Sequence, residues 1–268
     1  MKIAINLLSL KRSSIKFLQL FFVIIVLTIL SCNREKPKEN NQDSNRNSVQ
    51  EFVETRLEID SEGWKLIGDL LLPVSKDSIS VVLMLNKANG TREAYVPLAK
   101  ELIKKGIGSL RLDLRGHGES TNLGTFVPFE VPRSPIIWNS EQDVINVCKY
   151  LKMQSQFNLK DIGLVGGSYS GEEMAEAGRI NGFEKAYVEL SPGSFSDESI
   201  EMIDKSNASW FFISAKEDIH LIEITDLVNK NSKTVDLLIL PGKEHASNLL
   251  NNNPALNELI ATWLYHKL

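Results

Sequence analysis

The segment Gly163-Leu164-Val165-Gly166-Gly167-Ser168-Tyr169-Ser170-Gly171 passes from an apolar, strand-like run straight into a helical pattern. A serine on so sharp a turn is held in strained geometry with its hydroxyl raised above the sheet, and the residues two before and two after it must be small. Gly166 and Ser170 meet that requirement, although the strict pattern would place a second glycine at 170. A phosphate-binding loop is the competing reading, but neither a G-x-G-x-x-G spacing nor a P-loop lysine is present. A serine hydroxyl attacks poorly until a base takes its proton, and the base needs an acid to fix its tautomer. Of the four histidines, His245 lies in the loop after the last predicted strand, Leu240-Pro241-Gly242-Lys243-Glu244-His245, whereas His117 precedes the serine in a Gly-flanked loop, His220 follows the acid too closely to face it across a site, and His266 falls in the terminal helix. Asp218 closes Phe212-Ile213-Ser214-Ala215-Lys216-Glu217-Asp218 just past another strand, with Glu217 as the neighbouring carboxylate. Together Ser168, Asp218 and His245 have the makings of nucleophilic acyl transfer.

For the three to meet, their loops must lie on one edge of a sheet. Strand patterns fall at 52–59, 64–72, 81–85, 109–113, 162–165, 186–190, 210–214 and 235–240. Ser61-Glu62-Gly63 supplies a hairpin turn between the first two. Tyr95, Leu98, Ala99 and Leu102 mark an amphipathic helix that stops at Gly106, and further helices are predicted over 140–153, 169–181, 221–231 and 254–267. In the last, Asn253 is the expected cap and Pro254 the first helical residue. An antiparallel opening followed by strand–helix alternation predicts an α/β fold, a mostly parallel, doubly wound sheet. Open sheets of this kind place their chemistry at the carboxyl ends of the strands, where all three residues fall.

The N-terminus belongs to a different class of segment. Lys2, Lys11, Arg12 and Lys16 precede an apolar run from Phe17 to Leu30, the layout of a secretory signal peptide. The run has 14 residues, fewer than the ~20 an upright membrane-spanning helix needs. Ile29-Leu30-Ser31-Cys32 is similar to the lipobox of bacterial lipoproteins, which makes residues 1–31 a leader and Cys32 the lipid-bearing first residue of the mature chain. An uncleaved anchor helix from about residue 15 would tether the same end. Residues 32–50 are almost wholly polar and charged, so they form a disordered tether, exported and membrane-anchored at the cell envelope, ahead of a domain spanning 51–268.

Composition excludes other classes. Thirty basic residues against 34 acidic ones give a net charge of −4, without the basic patch a nucleic acid partner requires. Two cysteines, Cys32 and Cys148, are too few for a disulfide framework, and no Cys/His spacing suggests a metal.

From Glu51 to Leu268 the chain resembles the α/β-hydrolase family. The elbow around Ser168 and the order Ser…Asp…His carry the resemblance. So does Asp113-Leu114-Arg115-Gly116-His117-Gly118-Glu119-Ser120, similar to the family's D-x-R-G-x-G-x-S turn. Trp64 to Pro73 resembles the opening hairpin of dienelactone-hydrolase-like and acyl-esterase members. The resemblance implies a cofactor-free serine esterase acting on a small ester or acyl substrate through an acyl-enzyme. It also implies an oxyanion site built from the Tyr169 N–H and that of Lys87 or Ala88. The family's His-Gly after the third strand is replaced here by Asn86-Lys87. That departure keeps a second reading open, a non-catalytic, membrane-tethered binding protein on the same fold, and a serine peptidase is a further option. Only 19 residues separate Leu190 from Trp210, too few for a large cap domain, so the loop over 124–138 is the expected substrate wall, through Phe126, Pro128, Phe129, Val131, Pro132, Pro135 and Trp138.

Overall fold

The computed structural model describes residues 51–75, 77–128, 134–155, 159–193, 195–218, 221–230 and 235–268. The leader, Cys32, the tether, His220, Phe129, Val131 and Pro132 lie outside them. Among the described residues, no helix is long and apolar enough to cross a membrane.

Among the described residues, eight strands form one sheet: β1 (Phe52–Ser61), β2 (Trp64–Pro73), β3 (Ile79–Leu85), β4 (Gly108–Leu112), β5 (Leu159–Ser168), β6 (Ala186–Pro192), β7 (Ser209–Ala215) and β8 (Val235–Leu240). Their order is β1-β2-β4-β3-β5-β6-β7-β8, antiparallel for β1–β2 and β2–β4 and parallel from β4 onward. This is the expected mixed, mostly parallel sheet. The opening hairpin closes on two residues, Glu62 (φ 53°) and Gly63 (φ 84°). Two successive positive φ angles give a turn whose twist matches that of the strands it joins.

The helices are α1 (Val96–Lys104), entered through a 3₁₀ turn at Arg92–Tyr95, α2 (Pro135–Trp138), α3 (Glu141–Met153), α4 (Tyr169–Asn181), α5 (Asp197–Lys205), α6 (Leu221–Lys230), α7 (Asn248–Asn252) and α8 (Ala255–Lys267). Strand β3 shows why they lie on both faces. Val81, Leu83 and Leu85 join the core beneath α3, α4, α5 and α6, while Val82 and Met84 join the one beneath α1, α7 and α8. A strand packed on both sides reads as an unbroken apolar run. At the last helix, Pro254 rather than Asn253 occupies the cap, and no side chain caps it; Asn253 instead terminates α7. Among the described residues, the short segment between β6 and β7 carries α5.

Candidate active site

Strand β5 runs without interruption to Ser168, and α4 begins at the next residue. Ser168 has φ 58° and ψ −134°, a conformation that costs a residue with a side chain about 1–3 kcal/mol and survives only where the surroundings enforce it. Close packing enforces it here. A Cβ on Gly166 would lie 2.9 Å from the Met174 methyl group, and one on Gly167 would lie 2.6 Å from the Leu190 carbonyl oxygen. The fully buried Ser170 hydroxyl bonds back to the Gly167 backbone, with its N–H and its carbonyl oxygen each at 2.9 Å. Ser170 therefore stands where a second glycine was expected because its hydroxyl is absorbed inside the turn. Behind the elbow, the Gly193 N–H donates to the Ser168 carbonyl at 3.2 Å.

The other two residues come from neighbouring loops that are tied together. Lys216 N–H donates to the Leu240 carbonyl (2.8 Å) and Glu217 N–H to the Gly242 carbonyl (3.0 Å), joining the segments after β7 and β8. Within this pair of loops His245 Nδ1 lies 2.9 Å from Asp218 Oδ2. The Asp218 side chain is 2% exposed and the His245 ring 36%, so the carboxylate is sealed while the imidazole reaches solvent. A donor facing the carboxylate places the proton on Nδ1 and leaves Nε2 to accept one. The next residue, Ala246, has φ 53° and is fully buried. Its Cβ would lie 2.9 Å from a Cβ on Gly167. The residues adjoining Ser168 and His245 thus press against each other.

The remaining histidines lie elsewhere. His117 is buried, stacked between Phe126 (4.8 Å between centroids) and Tyr169 (5.7 Å), with Nδ1 3.0 Å from the Arg115 carbonyl. Burial lowers its pKa and keeps it neutral. His266 is exposed on α8. The Asp113–Ser120 stretch is a structural turn: Arg92 N–H and Glu119 N–H donate to the Asp113 carboxylate at 2.7 and 3.1 Å, and a Cβ on Gly118 would meet that carboxylate at 2.1 Å.

Tyr169 is the first residue of α4, so its N–H belongs to the unpaired set at a helix N-terminus. Lys87 and Ala88 lie in the turn after β3, the strand paired to β5. From the expected substrate wall, Phe126 stacks on His117, whereas Trp138 is exposed and lines a cleft of about 280 Å³ with Glu141, Glu172, Glu173, Glu176 and Phe195. Glu172 packs on Gly193, so the cleft borders the elbow. Sequence reasoning missed this acidic lining, which comes from two helices, α3 and α4. Burial, together with the neighbouring Glu141, pushes the Glu173 carboxyl up to about 9. A larger cavity, about 860 Å³, lies at the opposite edge, around the starts of β5 and β7. Among the described residues no group of His, Cys, Asp and Glu is arranged to hold a metal ion.

No protein-family model matches the sequence, and no curated protein does. Solved structures do match. A dienelactone hydrolase from Anabaena variabilis ATCC 29413 is 19% identical with a TM-score of 0.64, covering 81% of this chain and 99% of its own. Est1E from Butyrivibrio proteoclasticus, solved with ferulic acid bound, is 18% identical with a TM-score of 0.64, over 79% and 98%. The Pyrococcus furiosus esterase Pf2001 is 17% identical with a TM-score of 0.62, over 81% and 93%. At these identities the likeness is one of fold, and the fold is that of the α/β-hydrolases.

Proposed function

We propose, from the α/β-hydrolase fold, that this protein is a serine hydrolase that cleaves carboxylic esters through an acyl-enzyme, with Ser168, His245 and Asp218 as its triad. The observation that carries the reading is the His245–Asp218 pair at 2.9 Å, on loops packed against an elbow that holds Ser168 at positive φ. Ser168 Oγ attacks the ester carbonyl while His245 Nε2 accepts its proton. Asp218, buried beside Nδ1, fixes the tautomer and stabilises the imidazolium. The carbonyl oxygen, now negative, is held by the Tyr169 N–H and a donor from the turn after β3. One such donor is worth about 3–4 kcal/mol. Collapse expels the alcohol, which takes the proton from His245. A water, deprotonated by the same imidazole, then releases the acid and regenerates the serine. The names of the structural neighbours, a dienelactone hydrolase and two esterases, support an ester over a peptide substrate.

Ser168→Ala is expected to abolish turnover of p-nitrophenyl acetate and butyrate and to remove labelling by a fluorophosphonate. Wild-type turnover in that variant would overturn the triad. A folded wild-type chain that resists the label would favour the non-catalytic binding protein. The leader reading is a proposal of the same kind: metabolic incorporation of an alkynyl palmitate should be lost in Cys32→Ala, and its persistence would refute lipidation at that cysteine.

A further inference from the structure

The rim of the sheet opposite Ser168 carries a surface that acyl transfer does not use. Strands β3 to β8 start on that rim, and α1, α3, α4 and α5, which lead back to them, end there. The Leu268 carbonyl accepts from Lys160 Nζ at 2.7 Å, which places the end of α8 there too. The open end of the β1–β2 hairpin joins it, since Phe52 pairs with Pro73 and β2 runs out beside the start of β4. Six large apolar side chains on this rim are exposed: Phe52, Val53, Val74, Met153, Ile180 and Tyr265, with Met153 at 80%. Beside Met153 lies the cavity of about 860 Å³, whose wall includes Lys152, Lys160, Lys185 and Lys205 together with Asp161 and Glu184. Lys104 and Lys105 stand with Tyr265 around a second recess.

Lysines in the last turns of α1, α3, α5 and α8 complement the helix dipoles. That accounts for the amines but not for the apolar side chains set among them, which gain nothing from water. Apolar and tyrosyl side chains interspersed with lysines suit the boundary of a bilayer, where the rings sit at headgroup level and the amines reach the phosphates. Charge separates the two ends of the domain. Residues 51–268 carry 22 basic against 31 acidic side chains, so an anionic bilayer repels the domain as a whole. Four glutamates line the cleft beside the elbow, whereas lysines outnumber carboxylates four to two in the wall of the rim cavity. Glu51, where the described chain begins, lies on this rim as well, its carbonyl accepting the Val74 N–H at 2.8 Å. The 19 residues from 32 to 50 span at most about 65 Å. A lipid on Cys32 would therefore concentrate this rim at the bilayer without fixing its direction. We infer that the rim docks on the anionic lipid surface to which the chain is anchored, with the mouth of the elbow turned to the aqueous side. This rests on the leader reading above. A site so oriented takes its esters from solution rather than from the bilayer.

Cysteine probes on the full chain, reconstituted into vesicles rich in phosphatidylglycerol, test the docking. Met153→Cys and Tyr265→Cys on the rim, and Leu123→Cys and Ile222→Cys at the opposite end, all replace exposed side chains, and the native Cys148 is buried. Each variant is labelled with NBD, whose emission shifts to the blue away from water. The probes at 153 and 265 should shift and be quenched by doxyl-labelled lipid, while those at 123 and 222 report water. Lys152→Glu, Lys185→Glu and Lys205→Glu together should cut the quenching at 153 by about twofold or more, as should vesicles of phosphatidylcholine. The same triple variant should keep its p-nitrophenyl butyrate turnover. Equal quenching at both ends, or none at the rim, overturns the inference. Quenching at 153 that survives both the charge reversal and the neutral lipid overturns the choice of an anionic surface. If alkynyl palmitate still labels Cys32→Ala while the rim stays quenched, the lipidation reading fails and the docking stands. A wild-type chain recovered only in the soluble fraction defeats both.

Discussion

Asp218 is sealed to 2% side-chain exposure while the imidazole it faces remains open. A carboxylate in that position acts on the tautomer of its partner more than on any substrate, so its removal should be read in kcat. Asp218→Asn is expected to cut kcat by about 10³–10⁴-fold by presenting the wrong tautomer to the serine, with the circular dichroism spectrum unchanged; a loss under tenfold would show that His245 does not depend on it. Ser168, Asp218 and His245 were legible in the sequence because each stands within a few residues of a strand end, where an apolar run gives way abruptly to Gly or charge. Asn86 was legible only as a departure from a motif. Its buried bond from the Leu114 N–H joins the end of β3 to the loop after β4, and no local pattern encodes that meeting. The cleft beside Trp138 was legible only in part for the same reason, since Trp138 belonged to the expected wall while Phe195 and the glutamates did not.

At the scale of elements, the elbow and the histidine loop are one packed unit. Gly167 touches Leu190 on one side and Ala246 on the other. Gly167→Ala must push on both, since its methyl would lie 2.6 Å from backbone oxygen, and overpacking of this kind costs about 1–3 kcal/mol. The variant should lose several degrees of Tm, together with a disproportionate share of esterase activity. A variant that keeps the wild-type Tm and activity would show that Leu190 and Ala246 yield freely to the added methyl. All eight strands and helices α1, α3, α4, α6 and α8 followed from periodicity, because each buries a recurrent apolar face; the nine-residue α5, which buries only Ser199 and Ile203, did not. The short helices α2 and α7 did not, since four or five residues complete too few turns to show a period. The cap at α8 was misplaced by one residue because Asn253 is already used to end α7.

Across the whole molecule, buried charge links parts distant in sequence. The Arg115 guanidinium, 5% exposed, bonds the fully buried Asp143 at 2.6 Å, and Ser61 Oγ donates to the same carboxylate at 2.7 Å. The opening hairpin, the loop after β4 and α3 meet at this point. Removing Asp143 leaves the buried guanidinium with only the exposed Glu62, at 3.1 Å, so Asp143→Ala should cost about 3–5 kcal/mol in denaturant unfolding; a cost below 1 kcal/mol would mean that Glu62 alone compensates Arg115. Glu189 acts in the opposite sense. It is fully buried, neither carboxylate oxygen has a hydrogen-bond partner among the described residues, and burial raises its pKa well above 4.5. A raised carboxyl pKa means the native state holds a proton that the unfolded chain gives up above about pH 4.5. Its contribution to stability is therefore present in acid and lost as pH rises toward the native value. Glu189→Gln should flatten the decline in stability between pH 5 and 9, measured by urea unfolding at each pH; an unchanged slope would assign the decline to other groups, Glu173 first among them.

The strand directions carry one more consequence. Strand β1 runs parallel to β3 through β8, since it is antiparallel to β2 and β2 is antiparallel to β4. Phe52 therefore enters at the rim opposite Ser168, and Leu268, held by Lys160 at the start of β5, sits on that same rim. An affinity resin or fusion protein joined at either end of the domain would grip it from behind, leaving the mouth of the elbow open to arriving molecules.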